Sequence, residues 1–389
     1  MNILMIWGES LDKPGSGTAH CRGLYHGWRA DGHRVTLLCP QYGDAPRWEG
    51  GLEARAIKLP PKSLLSFFLL QVWVVLALPM WLRRYRPDCV YVRTCFMQGI
   101  QALICRAFGV PLVGEVDSIV DEEIRMRGHL RWAAPLTRML DCFNNRLSHG
   151  LVCVTPGIRQ ETLRRGGRPA RTVAIPNGAP MNFQPPASPK PARQRLGLST
   201  EGTVISFAGN FAPWQGLDLL LDAVGEIDSA VRQNLQIVLM GDGQSRSAVL
   251  ERIDSEGLAN TVRWLPSGGP EEVREVLAAS DAAVIPIHDP RKLRYGISPL
   301  KFWEALAMGI GVLVPEGSQL EDVLDALDLP GCFDPESAAS LGEAITKVVG
   351  RTNDLRARRP EIATRVAEQH SWLQVSRCII DFVRSLPRD

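Results

Sequence analysis

A strand-and-helix alternation that runs through the chain twice constrains its fold more than any other feature. "NILMIW" reads as a strand, residues 19–30 as a helix and "GHRVTLLCP" as a second strand. "CVYV", "VPLVGEV" and "LVCVTP" follow as short apolar runs with the β-branched content of buried strands. Residues 182–200 are then proline-rich and polar, which predicts an inter-domain linker centred on 186–200. Beyond it the alternation restarts with "TVISFAG", "GLDLLLDAV", "IVLMGDG", "VRWLP", "AAVIPI" and "IGVLVP" separated by helical segments. Such alternation specifies parallel sheets covered on both faces, so the expected class is α/β with two doubly wound, Rossmann-like domains. A chain of 389 residues is also too long for one typical core. In these sheets ligands sit beyond the carboxyl ends of the strands. There the sequence places Gly8, Gly15, Gly17, Gly114, Gly209, Gly241 and Gly243, in both halves, which predicts a ligand held between them.

Composition excludes several classes. A net charge of +2 with no basic-aromatic motif argues against nucleic acid. Nine scattered cysteines without a C-x-x-C pair point to a reduced, cytoplasmic setting. The seven histidines show no ligand spacing, so neither a protein-held metal nor a cofactor is expected. The opening "MNILMIWGES" reads as a first strand rather than a signal peptide. Residues 64–88 are apolar for about the length of a bilayer core, yet carry Gln71 and Pro79 and lead straight into "CVYV". A crossover helix accounts for them best. The trailing Arg83, Arg84 and Arg86, and "MRGHLRW" at 126–132, would suit anionic headgroups, which makes peripheral contact with the inner membrane surface an expectation.

"YGISPLKFWEALAMGIGVLVP", residues 295–315, raises a narrower question. Ser298 suits an N-cap and Pro299 the first helical position. Leu300, Trp303, Leu306 and Ala307 share a stripe, and Gly309 can close the helix. Lys301 and Glu304 stand three apart in its first turns. A lysine there opposes the helix dipole. Either the two form a surface pair, or the lysine and the free N–H groups of the helix await a phosphate.

The quoted segments together resemble a retaining glycosyltransferase of the GT-B fold, family 4, along nearly the whole chain. "VAIPNGAPMNF" is similar to the family's I-P-N-G junction, "FAGNFAPWQGLDLLLDAV" to its G-x-L-x-x-x-K-G-x-D segment, and "IVLMGDGQSRSAVL" to its G-x-G-P segment. "VRWLP" with "VLAASDAAVIPI", and the 295–315 region as a variant E-x7-E element, complete the order. "HSWLQVSRCIIDFV" resembles the last helix, which returns to the first domain. The resemblance implies two Rossmann-like domains facing across a cleft: 1–185 on the acceptor side, with a helix at about 371–389 returning to it, and 201–370 holding a nucleotide-sugar donor. It implies ribose contacts from Glu304, a backbone turn of Ile297, Ser298, Pro299 and Leu300 near the diphosphate, and backbone base contacts around Leu265. Gly17, Gly209, Gly241 and Gly243 would line the donor.

Three departures stand out. Gly296 occupies the place of the first Glu, and Asn210 and Gln215 occupy the places of the family's basic pair. Lys301 is the nearest replacement for that charge, with Arg294 second. Glu115 and Asp117, two apart at a strand end, are candidates to orient the acceptor, a glycan or lipid-linked hydroxyl. The glycine loop at 13–20 fails as a dinucleotide fingerprint. The implied chemistry is metal-independent sugar transfer with retention, serving cell-surface glycan or glycolipid assembly, with Lys301 and the helix start stabilising the departing diphosphate. A nucleotide-sugar epimerase and a non-catalytic assembly partner are the alternatives.

Overall fold

The computed structural model describes residues 1–12, 15–42, 52, 54–93, 95–127 and 131–387. Lys13 and Pro14 of the glycine loop, and residues 128–130 of "MRGHLRW", lie outside them. The chain forms two compact units. Unit 1 is Met1–Gly178 with Trp372–Asp389, and unit 2 is Ala179–Ser371.

Unit 1 contains β1 (Asn2–Trp7), α1 (Ser16–Ala30), β2 (Arg34–Tyr42), β3 (Ala54–Leu59), α2 (Leu64–Tyr85), β4 (Cys89–Arg93), α3 (Gln98–Ala107), β5 (Leu112–Val116), α4 (Val120–Arg127), α5 (Ala134–Leu147), β6 (Gly150–Cys153), α6 (Pro156–Arg164) and β7 (Thr172–Ala174). Its sheet is parallel throughout, in the order β3-β2-β1-β4-β5-β6-β7. The order reverses between β1 and β4, the position at which such sheets open a crevice. Right-handed crossovers put α2, α3 and α5 on one face of the sheet and α1 on the other. As expected, residues 64–85 are the crossover helix from β3 to β4. Leu70, Val74, Leu78, Trp81 and Leu82 pack on Leu4, Ile6, Val90 and Val92 of the sheet. Ser63 and Ser66 cap α2 reciprocally at its start, and Arg86 ends it in the left-handed conformation.

Unit 2 contains α7 (Lys190–Arg195), β8 (Thr203–Ala208), α8 (Leu217–Glu226), α9 (Ser229–Arg232), β9 (Leu235–Met240), α10 (Arg246–Ser255), β10 (Val262–Leu265), α11 (Pro270–Ala279), β11 (Ala282–Val284), α12 (Pro290–Leu293), α13 (Leu300–Ala307), β12 (Gly311–Pro315), α14 (Glu321–Ala326), β13 (Cys332–Phe333), α15 (Ala338–Gly350) and α16 (Thr352–His370). Its parallel sheet runs β10-β9-β8-β11-β12-β13, with the reversal between β8 and β11. The stretch expected as a linker belongs to this unit. Ala192 and Leu198 join its core. Arg193 is fully buried, donating to the Ala279 carbonyl and pairing with Asp281 at 2.6 Å. The prolines there start α7 rather than keep the chain extended.

The last helix, α17 (Trp372–Ser385), belongs to unit 1, as the resemblance implies. It packs on α1, where Gly23 and Gly27 leave no room for a side chain against Trp372 and Ser376. Trp28 Nε1 donates to the Ser376 carbonyl at 3.3 Å.

Candidate functional site

In unit 1 the ends of β1, β4 and β5 converge because the register sets Trp7 beside Arg93 and Arg93 beside Glu115. Arg93 is buried with its guanidinium 4.6 Å from the Trp7 ring centroid. It meets Asp117 at 2.5 Å, and Glu9 and Glu115 at 3.4 Å each. Glu115 is buried as well. His20 Nε2, from the first turns of α1, lies 2.9 Å from its Oε1, and the Tyr91 hydroxyl donates to Oε2. Burial works to raise the Glu115 pKa, but His20, Arg93 and Tyr91 outweigh it and hold the carboxyl below the usual range. Burial, with the charge of Glu115, pushes the Tyr91 phenol well up. Glu115 thus stands inside this cluster rather than on the surface. It lies among His20, Arg93 and Tyr91 and ties the strand ends together. Asp117 keeps a side chain 38% exposed and is the outward-facing carboxylate of the two. Gly17 stands within α1, which starts at Ser16 rather than near residue 19, and lies against the Glu9 carboxylate.

In unit 2 the ends of β8, β9 and β10 carry the glycines. Gly209 N–H donates to the Met240 carbonyl and Gly241 N–H to that of Leu265. The Gly241 carbonyl accepts from Trp264 Nε1 at 3.0 Å. A Cβ on Gly241 would fall 1.9 Å from the Gly209 oxygen, so only glycine lets the two turns lie this close. Asn210 is exposed beside Gly243, and Leu265 is half-buried at the end of β10.

The helix of the 295–315 region is α13, and its start is displaced by one residue from the sequence reading. Pro299 is the N-cap and Ser298 precedes it, its hydroxyl 3.5 Å from Trp303 Nε1. Phe302, Trp303, Ala305 and Leu306 are all fully buried, so the helix has no ordinary solvent face. Lys301 and Glu304 are both half-buried, so they are not a solvated surface pair. Lys301 Nζ instead donates to Gln215 Oε1 at 3.0 Å and sits 4.0 Å from the Phe207 ring centroid. Burial lowers the Lys301 pKa to about 7, with the charge of Glu304 working against the shift. Burial likewise raises Glu304 to about 7, opposed by Lys301. Arg294 is exposed and stacks on Tyr295 at 5.4 Å. Ile297 N–H is held by the Ser318 carbonyl.

Sequence reasoning missed several participants. Gln319 fills the space beside Gly296, which has φ 72°; a Cβ there would meet the Gln319 amide at 2.5 Å. A glutamate at 296 would need both a left-handed backbone and the removal of Gln319. Phe207, His20, Tyr91, Arg93 and Glu9 left no local motif. The periodic strand ends were the only signal that could have found them.

The family model for the glycosyl transferase 4-like domain matches residues 15–178, and that for glycosyl transferases group 1 matches 190–365. The chain belongs to the group 1 glycosyltransferases. A D-inositol 3-phosphate glycosyltransferase of Geodermatophilus obscurus is 32% identical over 139 residues, 34% of this chain and 31% of that protein. Its counterpart in Rhodococcus jostii is 27% identical over 225 residues, 56% of this chain and 48% of that protein. The matches thus span half or less of those curated relatives. Among solved structures, Anabaena Alr3699/HepE in complex with UDP has a TM-score of 0.73 at 17% identity, with 99% of this chain and 100% of that chain covered. That likeness is one of fold: two doubly wound α/β units.

Proposed function

We propose that this glycosyltransferase family member moves a sugar from a nucleoside-diphosphate donor to a hydroxyl acceptor with retention and without a metal ion. Unit 2 would hold the donor. One observation carries the reading: Lys301 Nζ lies on Gln215, the position at which the resembling family carries a basic residue. The charge missing from "GNFAPWQG" is thereby delivered to the same place from α13. Beside it stand the first turn of α13 and the glycine turns at 209 and 241, an arrangement suited to an anionic diphosphate. Glu304 would accept from the ribose hydroxyls and Ile297 to Leu300 would present backbone to the donor. The acceptor hydroxyl would attack from the face the diphosphate leaves, and the departing phosphate would take its proton. Lys301 would meet the negative charge as it grows on the leaving oxygen. Asp117, the partly exposed carboxylate at the end of β5, would orient the acceptor. We assign the reaction to the cytoplasmic side, in cell-surface glycan or glycolipid assembly.

HepE was solved with UDP, which makes UDP the first probe. Titration calorimetry of the full chain with UDP, GDP and ADP should give saturable binding of at least one. Sugar donors of that base should then release nucleoside diphosphate more slowly in Lys301→Ala. No binding of any of the three would overturn the reading and favour a non-catalytic partner. Isomerisation of donor sugar without acceptor would favour an epimerase.

A further inference from the structure

Unit 1 leaves a broad apolar surface uncovered on the face of its sheet that carries α2, α3 and α5. Leu65, Phe68, Val72, Leu76 and Met80 recur along one side of α2 at helical spacing, directly opposite the side that packs on β1 and β4. Leu65 is 68% exposed and Leu76 74%. On α3, Leu103 continues the surface, and on α5 Leu136 and Met139 do so, Met139 at 61%. Just before α5, Trp132 stands 77% exposed. The three helices are in lateral contact. Gly99 of α3 packs so closely on Phe143 of α5 that a Cβ would meet the ring at 2.7 Å, and Arg83 at the end of α2 stacks on Phe108, just past α3, at 5.3 Å. The patch is therefore one surface, not three. Scattered single apolar residues need no explanation, whereas a contiguous face of this kind marks an interaction site.

Its charge says what covers it. Arg83, Arg84, Arg106, Arg131, Arg138 and Arg146 lie on or between these helices, and Arg86 caps α2. The one carboxylate in α2, α3 and α5 is Asp141, which lies 3.4 Å from the buried Arg165 of unit 1. α4, which packs on α5, adds Asp121, buried on Arg165, with Glu122 and Glu123, and with these counted the face keeps a basic excess against +2 for the whole chain. Apolar side chains along the helices, with arginines at the ends of α2, α3 and α5 and Arg138 within α5, match the two layers of an anionic membrane surface, acyl boundary and headgroup. A second copy of the same arginine-rich face would instead meet like charge. We propose that the α2–α3–α5 face seats unit 1 on an anionic lipid bilayer, with α2 lying in the interface plane rather than spanning it. The proposal does not depend on sugar transfer.

The test uses the full chain and vesicles of phosphatidylcholine alone or with about one-third phosphatidylglycerol. Co-sedimentation should favour the anionic vesicles by at least about tenfold and should weaken several-fold between low and high salt. The triple variant Leu76→Glu/Leu103→Glu/Met139→Glu should lose about tenfold or more of that binding while melting as the wild type does. Arg83→Gln/Arg84→Gln/Arg138→Gln, which leaves the apolar surface intact, should lose the preference for anionic lipid and its salt dependence. It keeps the proposal testable if the triple glutamate variant misfolds. Equal partitioning of the wild type to both vesicles, or no partitioning, would overturn the proposal. So would a dimer in sedimentation velocity that the glutamates dissociate, without vesicle binding.

Discussion

At the end of β4 in unit 1, Arg93 has three carboxylates within 3.4 Å, whereas at the start of α13 in unit 2, Lys301 has one amide oxygen and an aromatic face. Both cations sit at the topological switch of a parallel sheet, and both lose solvent. In unit 1 the lost hydration is replaced by fixed partners, so Arg93 is held firmly protonated and Glu115 firmly ionised. In unit 2 it is not replaced, and Lys301 and Glu304 are both driven toward their neutral forms, near pH 7. A charge with its counter-charges built in serves the fold. A charge left without them suits the diphosphate proposed above.

This contrast predicts that the two sites respond oppositely to mutation. The largest effect is expected from Glu115→Ala, which strips His20, Tyr91 and Arg93 of a buried partner. Stability should fall by about 3–5 kcal/mol, the range for breaking a buried pair. Urea unfolding of the full chain reads this, and an unchanged midpoint would place Glu115 outside the framework of unit 1. Next comes Lys301→Ala, which should melt within a few degrees of the wild type, since no counter-ion is abandoned. Its turnover with whichever donor binds should drop by about 2–4 kcal/mol, as for loss of a group aimed at developing charge. Lys301→Arg should recover part of it, because the charge remains but the fork differs in shape. Normal turnover in the alanine variant would remove Lys301 from the chemistry and turn attention to Arg294.

Glu304→Gln should weaken nucleoside-diphosphate binding by about 1.5–3 kcal/mol, the range for a charge-assisted hydrogen bond. Calorimetry that finds equal affinity would break the assignment. A smaller effect should appear with pH. Binding of a diphosphate favours protonated Lys301, so affinity falls as pH rises above about 7. Contact with ribose hydroxyls favours ionised Glu304, so affinity also falls as pH drops below about 7. After correction for the titration of the nucleotide itself, the profile should be a bell, each limb at most about tenfold per pH unit. The alkaline limb should vanish in Lys301→Gln and the acid limb in Glu304→Gln. A flat profile in the wild type would mean that neither group titrates against the ligand. The smallest change is expected from Asp117→Asn. Its carboxylate is partly solvated, so stability should shift by only about 0–1 kcal/mol, and UDP affinity should stay put. A loss comparable to that of Glu115→Ala would erase the distinction between the two carboxylates.

Much of this was legible in the residues. Alternating periods gave both sheets, and the placement of Lys301 against its helix dipole set it apart from an ordinary surface lysine. What escaped was whatever depends on strand order. Arg93 and Glu115 meet because β4 and β5 are neighbours, and Lys301 meets Gln215 from 86 positions away. No local pattern encodes such pairs. The one-residue slip at Ser298 came from two residues that both suit a helix start, Pro299 being able to stand at either position. The linker expectation at 186–200 weighed its prolines above Ala192 and Leu198, whose burial decides the matter.

The return of α17 to unit 1 has a consequence for biosynthesis. Everything in unit 2 is translated between β7 and the helix that completes unit 1. At about 5–20 residues per second, the groove on α1 that receives Trp372 and Ser376 stays open for about 10–40 s on the ribosome. During that interval Gly23 and Gly27 face outward, on a nascent unit with no closing helix, while unit 2 can already fold behind it. Chaperones would therefore meet this chain chiefly through its first half.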